Sequence, residues 1–188
     1  MNQDLIQAEM LIIEGELEEA AAIVLDLLKE EPDNVDAILY QGIIFSETGE
    51  HDKAIKALDY YLLREQGNAE AWEALGCSWF KKGDYLKGRQ FLEKALSLDI
   101  NNPSVLRNLG VLEEVNGRRE KSFLYLERAL KENPNDYRTL YAIAFSHLNR
   151  GRHEEAKRFF LRLLSLDIPA KMREEVAFLL IKIDILWV

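Results

Sequence analysis

Residues 69–102 read AEAWEALGCSWFKKGDYLKGRQFLEKALSLDINN. Two apolar-periodic runs, around Trp72, Leu75 and Gly76 and around Gly88, Leu92 and Leu96, flank a glycine at Gly83. A shift of 34 residues in either direction finds the same landmarks. Gly83 is matched by Gly15, Gly49, Gly117 and Gly151 with no drift, and Leu96 by Leu28, Leu62, Leu130 and Leu164. A fixed period of this size is the signature of a repeat architecture.

The phase holds along five units, 1–34, 35–68, 69–102, 103–136 and 137–170, followed by 171–188. Position 8 of the unit is always small (Ala8, Gly42, Gly76, Gly110, Ala144), and position 20 is Ala20, Ala54, Gly88, Ser122 and Ala156. Small residues at two facing places let two helices approach closely. Position 24 is bulky and apolar: Val24, Leu58, Leu92, Leu126 and Phe160. Apolar residues recur at helical spacing on both sides of the glycine, so each unit is expected to hold two helices, over about positions 2–14 and 17–30. The glycine between them suits a helix stop that needs a left-handed backbone.

The unit resembles the tetratricopeptide repeat, with its W-x2-L-G-x2-Y, A-x3-F and P pattern. The third unit carries Trp72, Leu75, Gly76 and Trp79, the first Ala20, Val24 and Pro32, and the fourth Leu109, Gly110, Ala129 and Pro134. The resemblance implies an all-α right-handed superhelix of antiparallel helix pairs, one continuous domain of five repeats, with 171–188 as a C-terminal capping helix. Departures are visible. Position 32 is proline only at Pro32 and Pro134, and is Gln66, Ile100 and Ile168 elsewhere. Position 11 is Glu113 and His147 in the last two units, which makes their inter-helix contact more polar.

Composition narrows the function. Hydrophobic residues make up 48% and charged residues 30%, as in a soluble helical protein. The net charge of −9 argues against nucleic acid, which needs a basic face. No apolar run approaches the roughly 20 residues that span a bilayer. The single cysteine, Cys77, cannot pair within the chain and suits a reducing, cytoplasmic setting. No nucleotide-binding glycine loop or nucleophile elbow occurs. His51 and His153 share position 17, where the other units carry Leu17, Tyr85 and Arg119, so they read as helix-start residues. No catalytic residue, metal ligand or cofactor is expected, and the chain reads as a non-catalytic protein-binding scaffold or adaptor.

In tetratricopeptide proteins the first helix of each unit lines the concave groove. Carrying those positions over gives Leu39, Tyr40, Ile43, Glu73, Cys77, Phe80, Arg107, Asn108, Val111, Arg138, Tyr141, Phe145 and Leu148 as the candidate partner-binding surface. Its charge is acidic early (Glu9, Asp36, Glu47, Glu70, Glu73) and more basic late (Lys81, Arg107, Arg138). The carboxylate-holding set of heat-shock co-chaperones is poorly matched, because Glu73 stands where a lysine should. An apolar groove that takes an extended or helical protein segment fits better. The resemblance leaves two alternatives: a chaperone holding an apolar client segment, as in bacterial secretion systems, or a self-assembling scaffold like the magnetosome-associated repeat proteins. Both ends are apolar (Ile12 and Ile13 at one, Ile185, Leu186 and Trp187 at the other), so a homo-oligomer is a further expectation.

Overall fold

The computed structural model describes residues 3–186, and side chains as far as Ile185. These residues form eleven α-helices: α1 (Gln3–Glu14), α2 (Leu17–Glu30), α3 (Val35–Glu47), α4 (His51–Leu62), α5 (Ala69–Lys81), α6 (Tyr85–Leu98), α7 (Pro103–Val115), α8 (Arg119–Glu132), α9 (Tyr137–Leu148), α10 (His153–Leu164) and α11 (Ala170–Leu186). No strand occurs among the described residues. The chain forms two compact units, Met1–Ile100 and Asn101–Val188.

Local chemistry sets where helices begin and end. Asn34, Asn68, Asn102 and Asp136 cap α3, α5, α7 and α9, each side chain accepting from a backbone N–H of the first turn at 3.0–3.3 Å. A side-chain acceptor here satisfies one of the orphan donors of the helix start. At the other end of α5, Gly83 has φ +89°, and a Cβ built there would meet nothing within 4 Å. Only the left-handed backbone demands glycine at that place.

Packing follows from small facing large. A Cβ on Gly76 would lie 2.8 Å from Leu92 Cγ and 3.0 Å from its backbone nitrogen, so α5 and α6 touch backbone to side chain. Leu58, Leu92, Leu126 and Phe160, the position-24 residues, are fully buried. In the first unit α3 packs on α1, α2, α4 and α5. Its core joins Ile38, Leu39, Ile43, Leu58, Leu62 and Leu75, continued by Leu5, Val24 and Leu27. In the second unit α9 packs on α7, α8 and α10, and α10 on α11. There Leu140, Ala144, Phe160 and Leu163 meet Val176, Leu180 and Ile183 of α11.

Candidate protein-binding surfaces

In the first unit the candidate surface is drawn from α1, α3 and α5. Their sequence-derived positions divide into two kinds. Leu39 and Ile43 are 5% and 6% exposed and belong to the core, so neighbouring helices already occupy them. Tyr40, Glu73, Cys77 and Phe80 are half-buried, each with part of its side chain in solvent. Phe80 rests against Tyr85, with ring centroids 5.6 Å apart. Around Tyr40 the surface is acidic. Burial first, then the Glu9 carboxylate it hydrogen-bonds, then Glu70 and Asp36, push its hydroxyl up to about 12. Desolvation and then Glu9 likewise raise the carboxyl of Glu70. Three helices thus bring the carboxylates of Glu9, Asp36 and Glu70 into one neighbourhood around Tyr40.

In the second unit the candidates lie on α7 and α9. Val111 and Asn108 are half-buried. Arg107 donates to Asp136 at 2.9 Å and to Ser104 at 3.1 Å, so its charge is held inside the unit. Arg138 is exposed. Tyr141, Phe145 and Leu148 are half-buried and pack on the core that includes α11. Tyr141 and Phe145 lie 4.7 Å apart, and Phe145 meets Phe160 edge-on at 5.9 Å. The Tyr141 hydroxyl donates to Glu175 at 2.6 Å, which together with burial drives its pKa upward. The roles of Asp136 and Glu175 were not singled out from the sequence. Asp136 was visible in principle as the fourth member of the Asn34, Asn68, Asn102 series.

The end residues also divide. Ile12 is half-buried and packs on the first unit's core, while Ile13 is 79% exposed. Ile185 is 72% exposed, and the side chains of Leu186 and Trp187 lie outside the described residues. Ile13 has companions at helical spacing on α1, Ile6 and Met10, and Ile185 has Phe178 and Ile181 on α11. The polar position 11 is buried in both cases: Glu113 is 1% and His147 5% exposed. Among the described residues, no group of three or more His, Cys, Asp or Glu could hold a metal ion, and no helix is long and apolar enough to cross a membrane.

Comparison with known proteins agrees with this helix-pair geometry. Tetratricopeptide repeat family models match residues 11–76, 69–102 and 125–158, together more than half of the chain. The chain belongs to the tetratricopeptide repeat family. The peroxisomal targeting signal receptor of Saccharomyces cerevisiae is 26% identical over 194 residues, covering 81% of this chain and 32% of its own length. The ER membrane protein complex subunit 2-A of Xenopus laevis is 26% identical and covers 69% of this chain and 45% of itself. This chain therefore spans less than half the length of either curated relative. Among solved structures, a thermophilic tetratricopeptide protein of Thermus thermophilus superimposes with a TM-score of 0.81 over 97% of this chain and 98% of its own, at 18% identity. MamA of Desulfovibrio magneticus superimposes with a TM-score of 0.65 over 88% and 96%, at 17% identity. At such identities the structures establish the fold, an all-α tetratricopeptide solenoid class.

Proposed function

We propose that this tetratricopeptide chain is a non-catalytic scaffold that binds a protein segment on the face formed by its first-of-pair helices. The supporting observation is the first unit's combination of half-exposed Phe80, Cys77 and Tyr40 with the carboxylates of Glu9, Asp36 and Glu70. Such a face suits a segment that alternates apolar anchors with lysine or arginine. Charge complementarity sets the approach and the specificity, and the apolar contacts hold the complex. A relative whose name denotes a receptor for a targeting signal supports the reading of a segment as ligand. Leu39, Ile43 and Arg107 act from behind as support, since they are engaged inside their units.

The test is selection of peptides from a random display library on the whole chain, followed by affinity measurement on variants. Phe80→Ala removes an anchor worth roughly 1.5–3 kcal/mol if buried on binding, or about 10- to 150-fold in affinity. Equal affinity for Phe80→Ala and wild type, with helicity unchanged by circular dichroism, would sink this reading. A second reading, self-association, is favoured by the apolar stripes Ile6–Met10–Ile13 on α1 and Phe178–Ile181–Ile185 on α11. In it, α1 of one copy packs on α11 of another. α1 carries Asp4, Glu9 and Glu14 and no basic residue, while Lys182 flanks Phe178 on α11.

A further inference from the structure

A second surface lies in the first unit, at the edge where the turn before α5 meets α5 and α6. There Gln66, Trp72, Gln90, Phe91 and Lys94 line an open cleft of about 440 Å3. Its apolar wall is the Trp72–Phe91 pair, stacked with centroids 5.7 Å apart and planes 22° apart. The Trp72 indole N–H donates to the Gln66 carbonyl at 2.9 Å, which fixes the wall to the turn. The rim is polar. The side-chain amides of Gln66 and Gln90 and the Lys94 ammonium have no hydrogen-bond or ion-pair partner among the described residues.

Two other repeats close this place from within the chain. In the fifth repeat the residue 68 places after Lys94 is Arg162, and its guanidinium donates to the carbonyl of Pro134, the counterpart of Gln66, at 2.6 Å. In the second repeat the counterpart of Lys94 is Tyr60. Its hydroxyl meets the Asp33 carboxylate, the counterpart of Gly67, at 3.1 Å, and Arg64 stacks over its ring. A planar donor group from the second helix therefore closes the edge onto the preceding turn in both. The third repeat has no such bridge, and its Gln66 carbonyl accepts from Trp72 instead. Lysine has no planar fork, and Gly67 offers no carboxylate; a Cβ built there would meet nothing within 4 Å.

We propose that this cleft binds a tyrosine side chain presented by a partner protein, its ring against Trp72 and Phe91 and its hydroxyl against Lys94. The partner's phenol restores the group that Tyr60 supplies from within the chain in the second repeat. Aromatic rings favour offset stacking on such a wall. The phenol oxygen accepts from the Lys94 ammonium, and the phenol hydrogen is donated to a Gln66 or Gln90 amide oxygen. The cationic rim makes tyrosine the better occupant than the arginine used in the fifth repeat. The volume lies toward the small end of ligand sites, roughly 300–1,000 Å3, which suits one side chain and its flanking backbone. This site goes beyond the inner-face reading and stands if that reading fails.

The test is titration of the 15N-labelled chain with N-acetyl-tyrosinamide, N-acetyl-phenylalaninamide and N-acetyl-leucinamide, following the Trp72 indole N–H, assigned with Trp72→Phe. The tyrosine amide is expected to shift that resonance saturably, and the phenylalanine amide to bind about tenfold more weakly for want of its charge-assisted hydrogen bond. Lys94→Met should erase the difference between the two. Lys94→Arg should reach across to the Gln66 carbonyl, as Arg162 reaches that of Pro134, and abolish binding of all three. The proposal is overturned if the tyrosine amide binds no better than the leucine amide, or if Lys94→Arg binds it as wild type does.

Discussion

Gly76 and Gly83 are seven places apart and resist substitution for different reasons. At Gly76 a methyl group collides with Leu92, so Gly76→Ala forces α5 from α6 and should cost about 1–3 kcal/mol by overpacking. At Gly83 there is room, and the cost of Gly83→Ala, about 1–2 kcal/mol, comes from the left-handed backbone. Denaturant unfolding of the asparagine variants separates the two causes. Gly83→Asn should recover much of the loss, because asparagine tolerates that conformation, whereas Gly76→Asn should be worse than alanine. A third residue gives the protein a pH response. His147 lies between Phe123, edge-on at 5.3 Å, and Phe159, stacked at 5.5 Å. Burial holds its pKa below the ordinary value; Arg152 and Arg150 lower it further, while Glu155 and Glu127 oppose them. The unfolded chain therefore binds the proton more readily than the folded one. Stability from this group is complete above the unfolded pKa of about 6.5 and is lost as pH falls from there through the lower folded pKa. Unfolding midpoints at about pH 7.5 and 5.5 should differ, and His147→Phe should flatten part of that slope. His51, held down by burial and then by Lys81, contributes in the same direction. An unchanged slope in His147→Phe would show that the stacked imidazole is not its source.

At the scale of an element, the starts of α5 and α9 make a matched pair. Asn68 only caps, accepting from Ala71 N–H at 3.1 Å, so Asn68→Ala should cost about 1 kcal/mol. Asp136 caps α9 and also holds Arg107, both side chains being largely buried at 13% and 14% exposure. Burial pushes its carboxyl up, but bonds from Thr139 and the Arg107 charge outweigh that and hold it below the usual carboxylate range. Asp136→Ala leaves the arginine unpaired and should cost about 3 kcal/mol or more. Asp136→Asn should fall between, keeping the cap and losing the charge. The folded pKa is depressed, so this contribution is present above the unfolded carboxylate pKa and fades as pH falls through the folded one. Equal losses for Asn68→Ala and Asp136→Ala in guanidinium unfolding would mean that the ion pair adds nothing to the cap.

At the scale of the whole molecule, the apolar stripes of α1 and α11 bear on the assembly state. Contact between unlike surfaces propagates, so wild type should grow with concentration in sedimentation velocity instead of stopping at one closed dimer. Ile13→Glu combined with Ile185→Glu should remain monomeric and helical, since both side chains are mostly in solvent and repeat stability rests on neighbouring repeats. A wild type that sediments as a monomer throughout the micromolar range would eliminate the self-association reading and leave the scaffold reading untouched.

The sequence by itself determined the all-α class, the family and the helix-pair pattern, because each of these depends on contacts within a unit or between adjacent units. The small residue at position 8 and the bulky one at position 24 meet inside one pair, as Gly76 and Leu92 do. The glycine at position 15 acts on its own backbone. Such information is written at fixed spacing, and a period exposes it. Which side chains remain available was settled only in three dimensions. Leu39 and Ile43 hold the same nominal positions as Glu73 and Cys77, yet their neighbours sheathe them. Arg107 is one of the groove's basic positions in the sequence, but in the fold Asp136 holds its charge. Lys94 occupies the same register as Arg162 and Tyr60, but only the structure shows those two bridging to the preceding turn while Lys94 stands beside an open cleft. Exposure and pairing are sums over every neighbouring element, and no single repeat contains all the terms.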